Sequence, residues 1–254
     1  MSLKTILSPA KKLNFEADIP VLNYSEPALW SKTISLSKTL KKLSVKKIRT
    51  LMSLSPDLGN LNYDRYQKFT TEQTNSISKP AGFVFNGEVY TGLDISSLNN
   101  NELNFLNDNT WILSGLYGAV KPLQYIQPYR LEMGTKLPVG KKKNLYEFWD
   151  NSITDLIQSE LSENDVIINL ASIEYFKAVK VKSIKNRIIT PVFKDFKNGD
   201  YKTIMVFAKK SRGAMANYIA KNKLADPEEL KAFDVNGYEF NVNLSTDDTW
   251  IFTR

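Results

Sequence analysis

The segment that most restricts the fold is Asp165-Val-Ile-Ile-Asn-Leu-Ala-Ser172, an apolar run about one strand long. A strand with one wet face alternates apolar and polar residues. This one does not, which predicts burial on both faces. Such a strand needs helices packed over its sheet. Helical spacing is present on the N-terminal side, where Phe148, Ile153, Leu156, Ile157 and Leu161 predict a helix over 144–161. Leu36, Leu40, Leu43 and Leu51 predict helix over 28–54, with a break at Ser44-Val45. Short helices are expected from Ser55-Pro56-Asp57 and from Asn62-Tyr63-Asp64. Others are expected within 99–109, over 212–222, and over 227–231 with Asp226 as cap. Strands are predicted over 3–7, 83–85, 111–113, 187–193, 203–207 and 250–252, with Lys197-Asn-Gly-Asp200 turning a hairpin. Residues 20–27 read as loop. The fold class is therefore mixed α/β (α+β): one domain over 1–254, with a mixed β-sheet surrounded by helices.

Composition limits the chemistry. The 254 residues contain no Cys and no His. Thiol and imidazole catalysis, disulfides and His/Cys metal sites are excluded. Acid–base work falls to Asp, Glu, Lys or Tyr. A metal site would have to be all oxygen, and no carboxylate spacing marks one. No Walker A or dinucleotide-binding glycine loop is present, and no cofactor is expected. Thirty-four Lys and Arg against 27 Asp and Glu leave a formal charge of +7, which favours an anionic partner. The N-terminus lacks the form of a signal peptide, and no apolar run approaches the roughly 18 residues of a membrane span. A soluble, cytoplasmic protein is expected.

Several polar groups stand where loops follow strands, the usual ligand-binding position in open α/β sheets. Lys11 and Lys12 follow the first strand, suited to an anion or to a solvated loop. The run 123–136, with Pro122 just before it and Pro128 within it, surrounds Arg130, Glu132 and Lys136 with Tyr125 and Tyr129. Arg130 can take phosphate, a carboxylate or a base edge bidentately. The plainer reading is an Arg130–Glu132 pair holding a long loop. Lys143 and Asn144 precede a predicted helix. Glu174 and Lys177 are spaced for one helix face, as an ion pair or as the wall of a cleft. Lys209, Lys210 and Arg212 follow a predicted strand. Lys38, Lys42, Lys46 and Arg49, at spacings of four, four and three, form either a phosphate-tracking stripe or a solvated face.

Longer motifs carry a family resemblance. They are Ile6-Leu-Ser-Pro-Ala-Lys-Lys-Leu13, Phe85-Asn-Gly-Glu-Val-Tyr-Thr-Gly-Leu93, Leu113-Ser-Gly-Leu-Tyr-Gly118, the 126–136 and 143–149 runs, 166–172 with 174–177, 208–215 and 230–234. Together they resemble the YaaA family of bacterial peroxide-stress proteins across nearly the whole chain. The resemblance implies a compact mixed α/β fold sometimes called cantaloupe-like and a positively charged cleft. It also implies DNA binding and a helix-hairpin-helix-like element, best located at about 43–69. Leu51, Leu54 and Leu58 are expected to pack that element, although the paired glycines of the standard hairpin are missing.

Two functions follow as expectations. The first is an oxidative (hydrogen peroxide) stress protein that binds double-stranded or damaged DNA and limits peroxide- and iron-dependent damage. The second is an enzyme acting on a nucleotide, nucleobase or DNA lesion, with Glu132, Glu174, Lys12 and Lys177 as candidate catalytic groups. Convergence of Glu132 and Glu174 with Lys12 and Arg212 in one pocket favours the enzyme; separate local ion pairs favour the binder. A protein-interaction role in iron handling has no marker in the sequence.

Overall fold

The computed structural model describes residues 2–16, 19, 25–72, 74 and 76–254. In chain order it runs β1 (Leu3–Leu7), β2 (Lys12–Leu13), α1 (Trp30–Lys41), α2 (Val45–Met52), α3 (Pro56–Lys68), β3 (Lys79–Pro80), α4 (Ala81–Val84), β4 (Phe85–Asn86) and α5 (Glu88–Leu93). Then follow α6 (Asn100–Asn109), β5 (Thr110–Ser114), β6 (Gly118–Val120), β7 (Tyr125–Ile126), α7 (Leu145–Trp149), α8 (Ser152–Ser159), β8 (Val166–Leu170) and α9 (Ile173–Phe176). The chain closes with β9 (Ile188–Lys197), β10 (Asp200–Lys202), α10 (Met205–Asn222), β11 (Glu239–Phe240) and β12 (Thr249–Thr253).

Eight strands form one sheet in the order β11-β12-β9-β8-β1-β5-β6, with β10 paired to β9. The inner five are parallel, and β6, β10 and β11 are antiparallel additions. Every residue of β5 and β8 is buried. The apolar run of β8 thus lies at the centre of a covered parallel sheet, and the whole is a mixed α/β single domain. Helix α10 packs against β1, β8, β9 and α5. A Cβ on Gly213 would lie 1.7 Å from the Val89 carbonyl oxygen, and one on Gly92 would lie 1.9 Å from that of Lys210. Glycine at both points lets the α5 and α10 backbones touch.

Capping explains several boundaries. Ser44 accepts from the Lys47 amide and starts α2, which breaks the 28–54 helix at the expected place. Asn99 forms a capping box with Glu102 at α6, and Asp226 forms one with Glu229. Ser55 caps α3 as expected, but no second helix starts at Asn62. Its side-chain amide bonds back to the Leu58 carbonyl at 2.7 Å, inside a continuous helix.

Four elements differ from the sequence expectation. The 144–161 helix is split into α7 and α8 because Asp150 adopts φ 46°. Residues 81–84 form a helical turn, so the strand predicted over 83–85 contracts to Phe85–Asn86. The hairpin turns at Asn198 (φ 54°) and Gly199 (φ 81°), but its return strand is only Asp200–Lys202. Residues 205–207, expected as strand, begin α10 instead, which absorbs the basic segment 208–213. Met205, Val206 and Phe207 are exposed there, on the first turn of the helix. The predicted loop at 20–27 has residues 20–24 outside the described set.

Candidate functional site

The chain leaves β1 for β5 on one side, then returns to β8 on the other. The strand order reverses about β1, and the crevice beyond the carboxyl ends at such a point is where open α/β sheets bind ligands. Between β1 and β8 this crevice is closed by two serines. The Ser172 amide donates to Ser8 Oγ at 2.8 Å, and the two hydroxyls lie 3.3 Å apart. Beside this clasp lies a small cleft lined by Ala10, Lys11, Tyr129, Arg130, Glu132 and Tyr175, among others, with room for about one water molecule.

The walls are built by backbone contact and buried hydroxyls. Beyond β5, a Cβ on Gly115 would lie 2.2 Å from the Leu131 carbonyl oxygen, so glycine admits the 131–132 backbone. The Gly115 carbonyl accepts from Trp149 Nε1 at 3.0 Å. Ser114 Oγ accepts the Tyr117 amide at 3.0 Å and shares a 2.7 Å hydrogen bond with the Tyr129 hydroxyl. The Gln127 amide donates to the Tyr117 hydroxyl at 2.8 Å. From α3 the Tyr66 hydroxyl donates to the Arg130 carbonyl. From α5 the Tyr90 hydroxyl donates to the Ser8 carbonyl at 3.1 Å. Each loop of the cleft is thus tied to a different part of the fold.

Charge at the mouth is concentrated on Glu132. Its Oε1 lies 2.8 Å from Lys11 Nζ and 3.3 Å from Arg130 Nη2. Arg130 Nε is buried without a hydrogen-bond partner among the described residues. Burial lowers the pKa of Arg65 on α3, and the positive charge of Arg130 adds to that effect. Beneath them burial pushes the phenols of Tyr66, Tyr90, Tyr117, Tyr129 and Tyr175 above their ordinary range, so all stay protonated at neutral pH.

The other sequence-predicted residues are distributed around the molecule. Lys12 is exposed in β2. Glu174 is exposed on α9 and its Oε1 accepts the Gly134 amide at 2.9 Å; both it and Glu132 act on Tyr175 electrostatically. Lys177 lies 5.2 Å from the centre of the Tyr146 ring, whose hydroxyl donates to the Glu174 carbonyl. Lys136 and Lys143 are exposed, and Asn144 caps α7 by accepting the Glu147 amide. Tyr125 is half-buried in β7. Lys209 and Lys210 are exposed on α10, whereas Arg212 is half-buried with its pKa lowered by burial.

The basic stripe is also divided. Lys38, Lys42 and Lys46 are exposed, but the Arg49 side chain packs over Gly59, where a Cβ would lie 2.2 Å from its Cγ. That contact joins α2 to α3. Leu54 is buried at their turn, and Leu58, expected between the helices, is 39% exposed. Sequence reasoning missed Arg65 and Tyr66. Both lie on α3, more than 60 residues before Arg130, and no local pattern links them to it.

Among the described residues no group of three or more Asp and Glu could hold a metal ion. Among the same residues no helix is long and apolar enough to cross a membrane.

The model for the peroxide stress protein YaaA family matches residues 3–244. A UPF0246 protein of Colwellia psychrerythraea is 49% identical over 251 residues, covering 98% of each chain. Similar proteins include one from Psychrobacter sp., 48% identical over 98% of this chain and 97% of its own. Another is from Flavobacterium johnsoniae, 45% identical over 99% of this chain and 100% of its own. The chain therefore belongs to the peroxide stress protein YaaA family, and its role is in oxidative stress.

Proposed function

We propose that the protein limits peroxide damage by binding DNA, with the cleft at the carboxyl edge of the sheet as its anion-binding centre. One observation carries this reading. Lys11 and Arg130 converge on a single carboxylate at a topological switch point, and Arg130 keeps an unpartnered buried Nε. Arg65, the exposed Lys38, Lys42 and Lys46, and the α2–α3 pair, as a helix-hairpin-helix-like element, supply further phosphate contacts. Lys12, Lys136, Lys143, Lys209 and Lys210 are exposed and available to a long ligand. The compartment in this reading is the cytoplasm.

The test is binding to duplex, single-stranded and lesion-bearing DNA across a salt series. Affinity should fall with salt, each phosphate contact adding about 0.9 to the logarithmic slope. Arg130→Gln should weaken binding on all sequences and lower the slope by about 1. Binding that ignores salt, or an unchanged slope in the variant, refutes the reading.

The enzyme alternative draws on Glu132. A carboxylate in a binding cleft repels DNA unless it orients a cation or moves a proton, and Glu132 lies among two cations and protonated phenols. Lys12 and Arg212 do not line this cleft, so the full convergence that favours an enzyme is absent. Analysis of the same DNA samples for strand cleavage or base release decides between the two, and product lost in Glu132→Gln establishes turnover.

A further inference from the structure

Helix α1 buries Thr33, Leu36 and Leu40 in the core. Beside them Ile34, Ser37, Lys38 and Lys41, at spacings of three, one and three, form an adjoining stripe. That stripe shares an open groove with Phe69 and Thr70, just past the end of α3. The groove has a volume of about 300 Å³, at the lower end of the roughly 300–1,000 Å³ of small-ligand pockets.

The base of the groove is apolar and fixed. Phe69 is buried, its ring centre 5.7 Å from that of Trp30 and 6.5 Å from that of Tyr117. Ile34 and the aliphatic stems of the two lysines extend the apolar wall. The uncharged polar groups are already engaged. The Ser37 hydroxyl donates to the Ile34 carbonyl at 2.9 Å, and the Thr70 hydroxyl to the Glu72 carbonyl at 2.8 Å. The Thr70 amide donates to Gln127 Oε1 at 3.0 Å. The two ammonium groups are different: neither Lys38 nor Lys41 has an acidic partner among the described residues. Residues 27–56 contain seven Lys and Arg and no Asp or Glu, so nothing along α1 and α2 offsets their charge.

These features select the occupant. A polar body would give up its water for walls whose donors are taken. An inorganic anion would leave the apolar wall unused. A protein partner would need about 800 Å² of surface on this side, yet no exposed large apolar side chain lies on α1 or within 69–71. We propose that the groove binds a free amphipathic acid, an acyl or aryl body seated on Ile34 and Phe69 with one anionic head held by Lys38 and Lys41. The site shares no residue with the cleft beside β1, and the inference stands whether or not the protein binds DNA.

The experiment is calorimetric titration of the whole protein with octanoate and 2-naphthoate, and with the alcohols of the same carbon skeletons. One-to-one binding of an acid is expected, with a Kd of about 0.1–1 mM. The acid should bind about fivefold to tenfold more tightly than its alcohol, since each lysine adds a modest charge contact. Lys38 is exposed and Lys41 half-buried, so Lys38→Gln with Lys41→Gln should keep the melting temperature. That double variant should bring the acid to the level of the alcohol and leave the alcohol unchanged. Ile34→Trp fills the groove and should abolish both.

Tighter octanoate supports the proposal with an acyl acid as the source, and tighter 2-naphthoate supports it with an aryl acid. Equal binding of acid and alcohol overturns it, as does an acid preference that survives in the double lysine variant. Absence of saturable binding up to about 5 mM also overturns it. If neither acid binds, but single-stranded DNA loses affinity in Ile34→Trp, the groove takes a nucleobase and the proposal fails while the DNA reading stands. A concentration-dependent dimer abolished by Ile34→Trp would assign the groove to a second copy and likewise refute it.

Discussion

Replacing Gly115 by alanine tests the link between fold and site. The added Cβ would start 2.2 Å from the Leu131 carbonyl oxygen, 2.9 Å from its carbonyl carbon and 3.1 Å from the Glu132 carbonyl carbon. These are backbone atoms, so no flexible side-chain end can turn aside. Relief to an ordinary contact of about 3.4 Å requires a shift of about 1 Å. Any shift strains the Trp149–Gly115 bond at 3.0 Å or the Ser114–Tyr129 bond at 2.7 Å, both buried. Overpacking costs about 1–3 kcal/mol, and a weakened buried hydrogen bond adds about 1, so a loss of about 2–4 kcal/mol is expected. For a chain of this size the melting temperature should drop by roughly 5–15 °C. Because the displaced backbone carries Arg130 and Glu132, anion affinity should fall at temperatures where the variant remains folded. Thermal unfolding and oligonucleotide binding are measured on the same preparation. Gly140→Ala is the control, since nothing lies within 4 Å of its Cβ and its φ of +59° costs only about 1 kcal/mol. A Gly115→Ala protein within about 0.5 kcal/mol of the parent, with unchanged binding, would refute the account of how the 131–132 backbone is positioned.

Tyr66→Phe removes the donor to the Arg130 carbonyl, and should lower stability by about 1–2 kcal/mol in urea unfolding and weaken anion binding. Asp195→Ala leaves Arg254, whose Nε lies 2.6 Å from the carboxylate, and Tyr238 without their partner; a loss of about 2–4 kcal/mol is expected by the same assay. The buried phenols give a pH dependence of defined sign. Each holds its proton more tightly folded than unfolded, so their contribution is complete below about pH 10 and is lost as pH rises beyond it. Tyrosinate absorbance should show the buried phenols ionising only as circular dichroism reports unfolding. A smooth titration of all phenols near pH 10, with the fold intact, would contradict the burial described.

The sequence by itself determined the central strands and several helix starts, because both rest on local information. A strand at 166–170 that is apolar at every position but Asn169 needs cover on both faces wherever it lies, and Ser44, Asn99 and Asp226 cap helices through amides two or three residues away. The absence of Cys and His likewise restricts the chemistry without any coordinates. Strand 203–207 misled because an apolar segment becomes strand only where it pairs, and the hairpin pairing ends at Lys202 while Met205 already begins α10. Within the site, Lys11, Arg130 and Glu132 were legible, standing next to a strand end or in an aromatic, turn-rich run. That they meet in one cleft, while Lys12, Lys143 and Lys209 do not line it, is a property of strand order, since β1 and β5 are sequence-distant neighbours. Tertiary structure alone brought Arg65 and Tyr66 to Arg130 and turned Arg49 from a surface stripe onto Gly59. Such contacts depend on how whole helices dock, and docking is decided by packing and close backbone approach across the chain, which no local spacing encodes.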